Sequence, residues 1–227
     1  MHGEVENSLL PRTVWVLAHL VILGVAWWIL FAGGYQAISA LLGRNWHVGD
    51  PTRRGILFAC SVVLWMRTIL TAYYLLKRRF GWGEALAVIG AVTVYQLGLA
   101  LAGAGTQDPL SGGDAAGICL FVLGNALTTG SEIQRKRFKD KPEHKGQLYT
   151  GGFFRLARHV NYLGDSVWLT GWALVTRNGW AVIMPIGATA GFIFVFIPAL
   201  SKHLQSHYGE QYTHWSKRTA RFVPFVY

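Results

Sequence analysis

Six long apolar stretches constrain the fold of this chain more than any other feature of its sequence. A helix needs about 20 apolar residues to cross the hydrocarbon core of a bilayer, and the first and third stretches meet that length unaided. The fourth and fifth are shorter and span only if flanking residues join them, while Pro185 and Pro198 in the sixth predict kinks or early ends. The stretches cover residues 14–32, 55–76, 85–103, 115–129, 163–176 and 180–200. They predict an all-α integral membrane protein, a bundle of six or seven transmembrane helices forming a single domain over residues 1–227.

Composition supports the membrane class and argues against nucleic acid as a partner. Charged residues make up 14% of the chain and hydrophobic residues 52%, whereas an ordinary soluble domain carries about 25% charged residues. The net charge of +10 comes from basic residues between the apolar stretches, where loop charges orient a membrane protein. The first residues, MHGEVENSLLPR, are too acidic for the leader of a cleaved signal peptide, so we expect the first apolar run to remain as a membrane helix.

The basic residues alternate along the chain and predict an orientation. They concentrate at Lys77–Arg79, in the segment 135–158 and in the tail 202–221, whereas the link AGTQDPLSGGD contains neither Lys nor Arg. The positive-inside rule therefore puts both termini and the basic segments in the cytoplasm. The first loop, with Arg44, Arg53 and Arg54, does not fit this alternation.

The two cysteines indicate no metal centre. Cys60 and Cys119 lie in apolar stretches, outside any CxxC or Cys/His cluster. We therefore expect neither a disulfide framework nor a structural metal site.

A cluster of polar residues at the start of the fifth stretch is the strongest functional signal. If FFRLARHVNYLGDSVWLTGW ends in a helix, Arg158, Asn161, Tyr162 and Asp165 share one face, because they are three or four residues apart. The basic run 135–145 precedes them, and phosphates require such charge. Together they predict a site for a large anionic, hydrogen-bonding cofactor at the cytoplasmic face. Alternatively, the basic run alone is a topology signal that contacts anionic lipid heads.

The same residues carry a resemblance to a known family. GGFFRLARHVNYLGD resembles the C-terminal signature of the membrane steroid and sterol reductases: the steroid 5α-reductases, the sterol C14 and Δ7 reductases and their bacterial relatives. Their RHxNYxGD motif is complete from Arg158 to Asp165. SEIQRKRFK resembles the acidic-then-basic segment before that motif, and HYGEQYTHWSKRTARFVPFVY resembles the family's ending. The resemblance covers about residues 124–227.

The resemblance implies an NADPH cofactor bound by residues 111–227 and a substrate side in residues 1–110. It implies hydride transfer to a polarised carbon–carbon double bond in a steroid- or isoprenoid-like lipid. The cofactor contacts that it implies are Glu132, Arg137, Lys139, Arg158, His159, Asn161, Tyr162, Asp165, Lys202 and His203.

The resemblance does not assign the proton donor to one residue. In the 5α-reductases a Tyr and an acidic residue on N-terminal helices polarise the acceptor, but FACSVVLWMRTILTAYYLL contains no acid. Tyr73, Tyr74 and Tyr95 are the candidates for that role.

Two other functions remain open. Methyltransferases of the isoprenylcysteine carboxyl methyltransferase type share a related architecture and an RHPxYxG motif, and they use S-adenosylmethionine. Val160 stands where they have proline, Asn161 and Asp165 match the reductases, and their paired glutamates are missing from PALSKHLQSHYG. The third reading is a non-catalytic lipid-binding or scaffold protein. The complete motif favours a reductase.

Overall fold

The computed structural model describes residues 8–226, and these residues form helices joined by short connections, with no strand among them. The all-α prediction is therefore confirmed. The acidic leader discussed above rests mainly on residues 1–7, which lie outside the described residues. The α-helices are α1 (Leu9–Phe31), α2 (Gly34–Leu41), α3 (Pro51–Leu70), α4 (Trp82–Ala104), α5 (Gly112–Lys139), α6 (Val160–Val175), α7 (Ile183–Gly191), α8 (Ile197–Tyr208) and α9 (Glu210–Ser216).

Five helical segments are long and apolar enough to cross a membrane, so this is a multi-pass membrane protein. The fourth predicted stretch extends through its flanking residues into a helix of 28 residues, as its shortness required. The fifth forms α6, whose 16 residues cover only about 24 Å at 1.5 Å per residue. A hydrocarbon core is about 30 Å thick. That the fifth stretch also crosses the membrane, as a sixth span, therefore stays a prediction. The five segments are Leu9–Phe31, Pro51–Leu75, Trp82–Ala104, Gly112–Lys139 and Gly179–Tyr208.

The prolines of the last span explain its irregular course. Pro185 lies in the first turn of α7, where a missing N–H costs nothing. Pro198 lies in the first turn of α8, directly after the π-helical turn Phe192–Phe196. Because the proline ring clashes with the carbonyl four residues earlier, the α-helix gives way to a wider turn at this point.

The chain divides into two compact units, and the first consists of residues 8–117 and Trp172–Val182. Its apolar core comes from α1, α3 and α4, where Ala26, Leu57 and Leu99 are fully buried. A polar trio joins the same three helices: His19 Nδ1 lies 2.8 Å from Thr68 Oγ1, and His19 Nε2 lies 2.7 Å from Gln96 Oε1. Such bonds fix helices against one another where no water competes.

Two buried arginines form hydrogen bonds with backbone carbonyls of the first unit. Arg53 is fully buried, forms an ion pair with Asp114 and donates to the carbonyl oxygen of Val175 at 2.6 Å. Arg12 donates to the carbonyl oxygens of Ala72 at 3.1 Å and Arg78 at 2.7 Å. These side chains satisfy backbone carbonyls that helix ends leave without partners.

The second unit consists of residues 118–171 and 183–226. In it α5 and α6 cross at Gly124 and Gly164, where a Cβ atom on Gly164 would lie 2.7 Å from the carbonyl oxygen of Gly124. Only glycine permits so close an approach of two helix backbones. The chain after α9 returns to the start of α6: the amide of Arg158 donates to the carbonyl of Ala220 at 2.9 Å, and that of His159 to Arg221 at 3.2 Å.

Candidate cofactor-binding site

A cavity of about 260 Å³ lies within the second unit, beside the start of α6. Three cationic side chains line it: Arg135 and Lys139 from the last turns of α5, and Arg158. Arg135 and Lys139 share one face of α5, because they are four residues apart. Aromatic side chains form much of the remaining wall, namely Tyr149, Phe154, Tyr208 and Trp215. Among the described residues that line the cavity, none has a carboxylate.

Lys139 is held at the C-terminal end of α8. Its ammonium donates to the hydroxyl of Tyr208 at 2.8 Å and to the carbonyl oxygen of Gln147, and it lies 4.8 Å from the centre of the Tyr208 ring. The phenol and the carbonyl keep the long side chain in one place. An anion that enters the cavity therefore meets a preordered cation.

Arg158 precedes α6, so its position is not set by helical spacing. Its backbone is held by Ala220, as described above, and its guanidinium donates to the hydroxyl of Tyr212 at 3.0 Å. The guanidinium also lies 5.8 Å from the centre of the Tyr212 ring. The Nε atom of Arg158 is buried and has no acceptor among the described residues.

His159 also lines the cavity and is 1% exposed. Its Nε2 atom lies 3.2 Å from the hydroxyl oxygen of Ser201. Burial lowers the pKa of His159 to about 4, and the positive charges of Arg158 and Arg221 act in the same direction. The imidazole is therefore neutral at pH 7, and it contributes hydrogen bonding rather than charge.

The polar residues of α6 do not all face the cavity. Asn161 lines it. Asp165 instead accepts from the indole of Trp168 at 2.7 Å and from the hydroxyl of Thr128 at 3.2 Å, which places its carboxylate between α5 and α6. Tyr162 stacks on Phe192, with ring centres 4.8 Å apart. Because α6 begins at Val160, Arg158 lies outside the helix and does not share a helical face with Asn161, Tyr162 and Asp165.

The remaining predicted contacts lie away from the cavity wall. Glu132, whose side chain is 18% exposed, forms an ion pair with Arg135 on α5, and Arg137 is exposed. Lys202 and His203 are exposed on α8, whose other face supplies Leu200, Leu204 and Tyr208 to the cavity at intervals of four residues. Of the ten predicted cofactor contacts, the structure gathers Lys139, Arg158, His159 and Asn161 around one cavity.

Eight of the twelve lining residues were not among the predicted cofactor contacts, and one of these eight, Arg135, belonged to the basic run 135–145. Arg135 stands one helical turn before Lys139, and its spacing was the available signal. Tyr149, Tyr208 and Trp215 come from separate segments that only the fold brings together. No local pattern distinguishes them from core aromatics.

The three tyrosines considered for acceptor polarisation belong to the first unit. Tyr73 and Tyr74 lie on the π-helical turn after α3 and are 47% and 46% exposed. Tyr73 donates to the hydroxyl of Thr13 at 3.1 Å. Tyr95 is half-buried on α4.

Comparison with known proteins supports the predicted resemblance and extends it. A family model described as "Protein of unknown function (DUF1295)" matches residues 85–219, more than half of the chain. The chain is 33% identical over 114 residues to a probable O-methyltransferase of Ustilaginoidea virens, which is 45% of this chain and 38% of that protein. It is 29% identical over 127 residues to a Δ14-sterol reductase of Schizosaccharomyces pombe, 48% of this chain and 30% of that protein. It is 28% identical over 121 residues to an isoprenylcysteine O-methyltransferase of Arabidopsis thaliana, 48% of this chain and 58% of that protein.

These relatives are membrane enzymes of two kinds. The resemblance to sterol reductases is confirmed, and the methyltransferases weighed against them are relatives as well. The chain spans between about a third and somewhat more than half of each relative's length.

Proposed function

This chain belongs to the DUF1295 family, and we propose that it binds NADPH in the cavity of its second unit. In this proposal it reduces a carbon–carbon double bond in a steroid, sterol or other isoprenoid-like lipid. The helices form a bundle of six spans in a single domain, with the cofactor site facing the cytoplasm and the substrate side within residues 1–110.

The charge of the cavity wall carries this proposal. Lys139 and Arg158 supply two cations that pair with no carboxylate among the described residues, and Arg135 adds a third whose charge is partly offset by its ion pair with Glu132. Two unit charges 4 Å apart interact with about 4 kcal/mol at an effective dielectric constant near 20. That energy favours the phosphates of a dinucleotide and opposes the sulfonium cation of S-adenosylmethionine.

The chemistry of the remaining lining residues fits a nucleotide, and the volume of the cavity limits how much of the nucleotide it encloses. Lys139, Arg158 and Asn161 bring N–H donors to the lining, and such donors suit phosphate and carbonyl oxygens. The cavity of about 260 Å³ is smaller than the roughly 300–1,000 Å³ of sites that enclose a whole ligand. It therefore holds the diphosphate and its neighbouring groups rather than the whole dinucleotide.

In this proposal the chain's own residues bind the cofactor, orient it and exclude water from its reacting end. Bound NADPH would supply the hydride and leave as NADP⁺. Neutral His159 and the amide of Asn161 offer hydrogen bonds without charge beside the cations. In this proposal one of Tyr73, Tyr74 and Tyr95 polarises the acceptor and donates the matching proton.

Methyl transfer from S-adenosylmethionine to a lipid is the second candidate function. It is favoured by the 33% identity to a probable O-methyltransferase. It requires the sulfonium to lie away from Arg135, Lys139 and Arg158, because like charges in a desolvated cavity repel.

Ligand-induced stabilisation distinguishes the two functions. We expect NADPH at a hundred times its dissociation constant to stabilise the detergent-purified protein by about 2.7 kcal/mol, and S-adenosylmethionine to leave its melting temperature unchanged. Lys139→Gln and Asn161→Ala should weaken the NADPH effect, whereas Lys145→Gln, which removes an exposed cation outside the cavity, should not. Stabilisation by S-adenosylmethionine without any response to NADPH would reject the reductase.

A further inference from the structure

A second cavity in the same unit is not used by the site described above. Its volume is about 390 Å³, and it is formed by the segment 148–155 together with α9 and the residues that follow α9. Arg155, His214 and Arg218 line it, and the hydroxyls of Thr150 and Thr219 complete its polar wall.

The guanidinium groups in this second cavity are available for a ligand. Among residues 8–226, the side chain of Arg155 has no hydrogen-bond partner, and that of Arg218 has one long contact, from Nε to the carbonyl oxygen of His214 at 3.5 Å. No carboxylate stands among the described residues that line this cavity. Two fork-shaped cations without an anionic partner form a binding site suited to a phosphate group.

The two cavities share a wall. Leu148 and Trp215 line both, and the buried Nε1 atom of Trp215 has no acceptor among the described residues. Gln211 fixes this wall, since its side-chain oxygen accepts from the amide of Leu148 at 2.9 Å. The second, cation-lined cavity therefore lies next to the first, on the other side of Leu148 and Trp215.

We infer that the second cavity binds the 2′-phosphate on the adenosine half of NADPH, and that Arg155 and Arg218 thereby select NADPH over NADH. This inference rests on the proposed function. A phosphate monoester carries close to two negative charges at pH 7, whereas NADH presents a neutral hydroxyl at the same position. The first cavity holds the diphosphate, and the second holds the group that distinguishes the two nucleotides.

A phosphate monoester at this surface has a second source, the headgroup of phosphatidic acid in the membrane. Both sources offer the same dianion to the same guanidiniums. Phosphatidic acid is therefore tested beside the nucleotides as a separate arm.

The test is the ratio of the dissociation constants of NADH and NADPH, measured by calorimetry on the full-length protein in detergent. We expect wild type to bind NADPH more tightly, and Arg155→Gln and Arg218→Gln each to lower the ratio about tenfold to a hundredfold. The affinity for NADH should stay unchanged, which also reports that each variant is folded. Lys217→Gln removes a neighbouring exposed cation that does not line the cavity, and it should leave the ratio unchanged.

Each contrary result has a distinct meaning. Equal affinity of wild type for NADH and NADPH, or an equal loss of both in the arginine variants, would overturn the inference while leaving nucleotide binding intact. Absence of any nucleotide binding would reject the proposed function and the inference together. In the lipid arm, vesicles of phosphatidylcholine with phosphatidic acid are titrated with the same variants. Loss of vesicle binding at an unchanged nucleotide ratio would assign the cavity to the headgroup instead.

Discussion

The ion pair between Arg53 and Asp114 gives the sharpest prediction about the stability of the first unit. Both side chains are buried, at 0% and 2% exposure. Arg53 contacts two further segments, because it also donates to the carbonyl oxygens of Val175 and Asp108. Asp114 accepts in addition from the amide of Ser111 at 2.8 Å. Removal of Asp114 leaves Arg53 desolvated and without its ion-pair partner, and removal of Arg53 leaves the buried Asp114 only the more distant Arg177, whose Nε lies 3.6 Å from the carboxylate.

Breaking a buried pair from one side costs about 3–5 kcal/mol. For a chain of this size that corresponds to a fall in melting temperature of roughly 6–20 °C, at about 2–4 °C per kcal/mol. We therefore expect Asp114→Leu and Arg53→Met each to lower the melting temperature by that amount in detergent. The double variant should lose much less than the sum of the two, because neither charge then remains buried alone.

A matched control comes from the exposed pair of Arg78 and Glu84, whose side chains are 62% and 36% exposed. Glu84→Gln should change stability by less than about 1 kcal/mol, since solvent screens such pairs. Strict additivity of the Arg53 and Asp114 substitutions in thermal unfolding would refute the reasoning, because it would mean that the two charges do not depend on each other.

Two further predictions concern the second unit. Burial lowers the pKa of His159 from 6.5 to about 4, so the unfolded chain takes up a proton first as the pH falls. The contribution of His159 to the free energy of unfolding is therefore fully present above pH 6.5 and declines towards pH 4 by up to about 3 kcal/mol. Melting curves of wild type and His159→Gln between pH 7 and 4.5 should therefore converge in acid, and parallel curves would show that His159 does not titrate in this way. Gly164→Ala should cost about 1–3 kcal/mol, because its Cβ would lie 2.7 Å from the backbone of Gly124. Gly187→Ala, with open space around its Cβ, should leave thermal stability unchanged or higher; equal effects at both positions would contradict the close crossing.

The apolar stretches predicted the membrane helices well, because hydrophobicity over about 20 residues is a local property of the chain. Their ends were harder to predict. The helix α5 continues from its apolar part through the charged residues up to Lys139, and this extension places Lys139 beside Tyr208. Charged residues are good helix formers, so composition marks the edge of the bilayer rather than the end of a helix.

Long-range contacts account for what the sequence did not reveal. Arg158 and His159 are positioned by the carbonyls of Ala220 and Arg221, about sixty residues away in the chain, and no helical periodicity records that contact. The poor fit of the first loop to the charge alternation has a similar cause. Arg53 is buried in an ion pair, and Arg54 donates to the carbonyl of Leu30 at 2.6 Å. These two arginines hold the fold together, and so they do not report orientation as solvated loop charges do.

Direct calorimetric titration of NADPH and S-adenosylmethionine into the same detergent-purified protein tests the central claim, that the cation-lined cavity holds a phosphate-bearing nucleotide. We predict saturable binding of NADPH at one site, weakened by Lys139→Gln and by added salt, with no measurable heat from S-adenosylmethionine. Saturable binding of S-adenosylmethionine in the absence of any NADPH signal would contradict the account and assign the chain to methyl transfer.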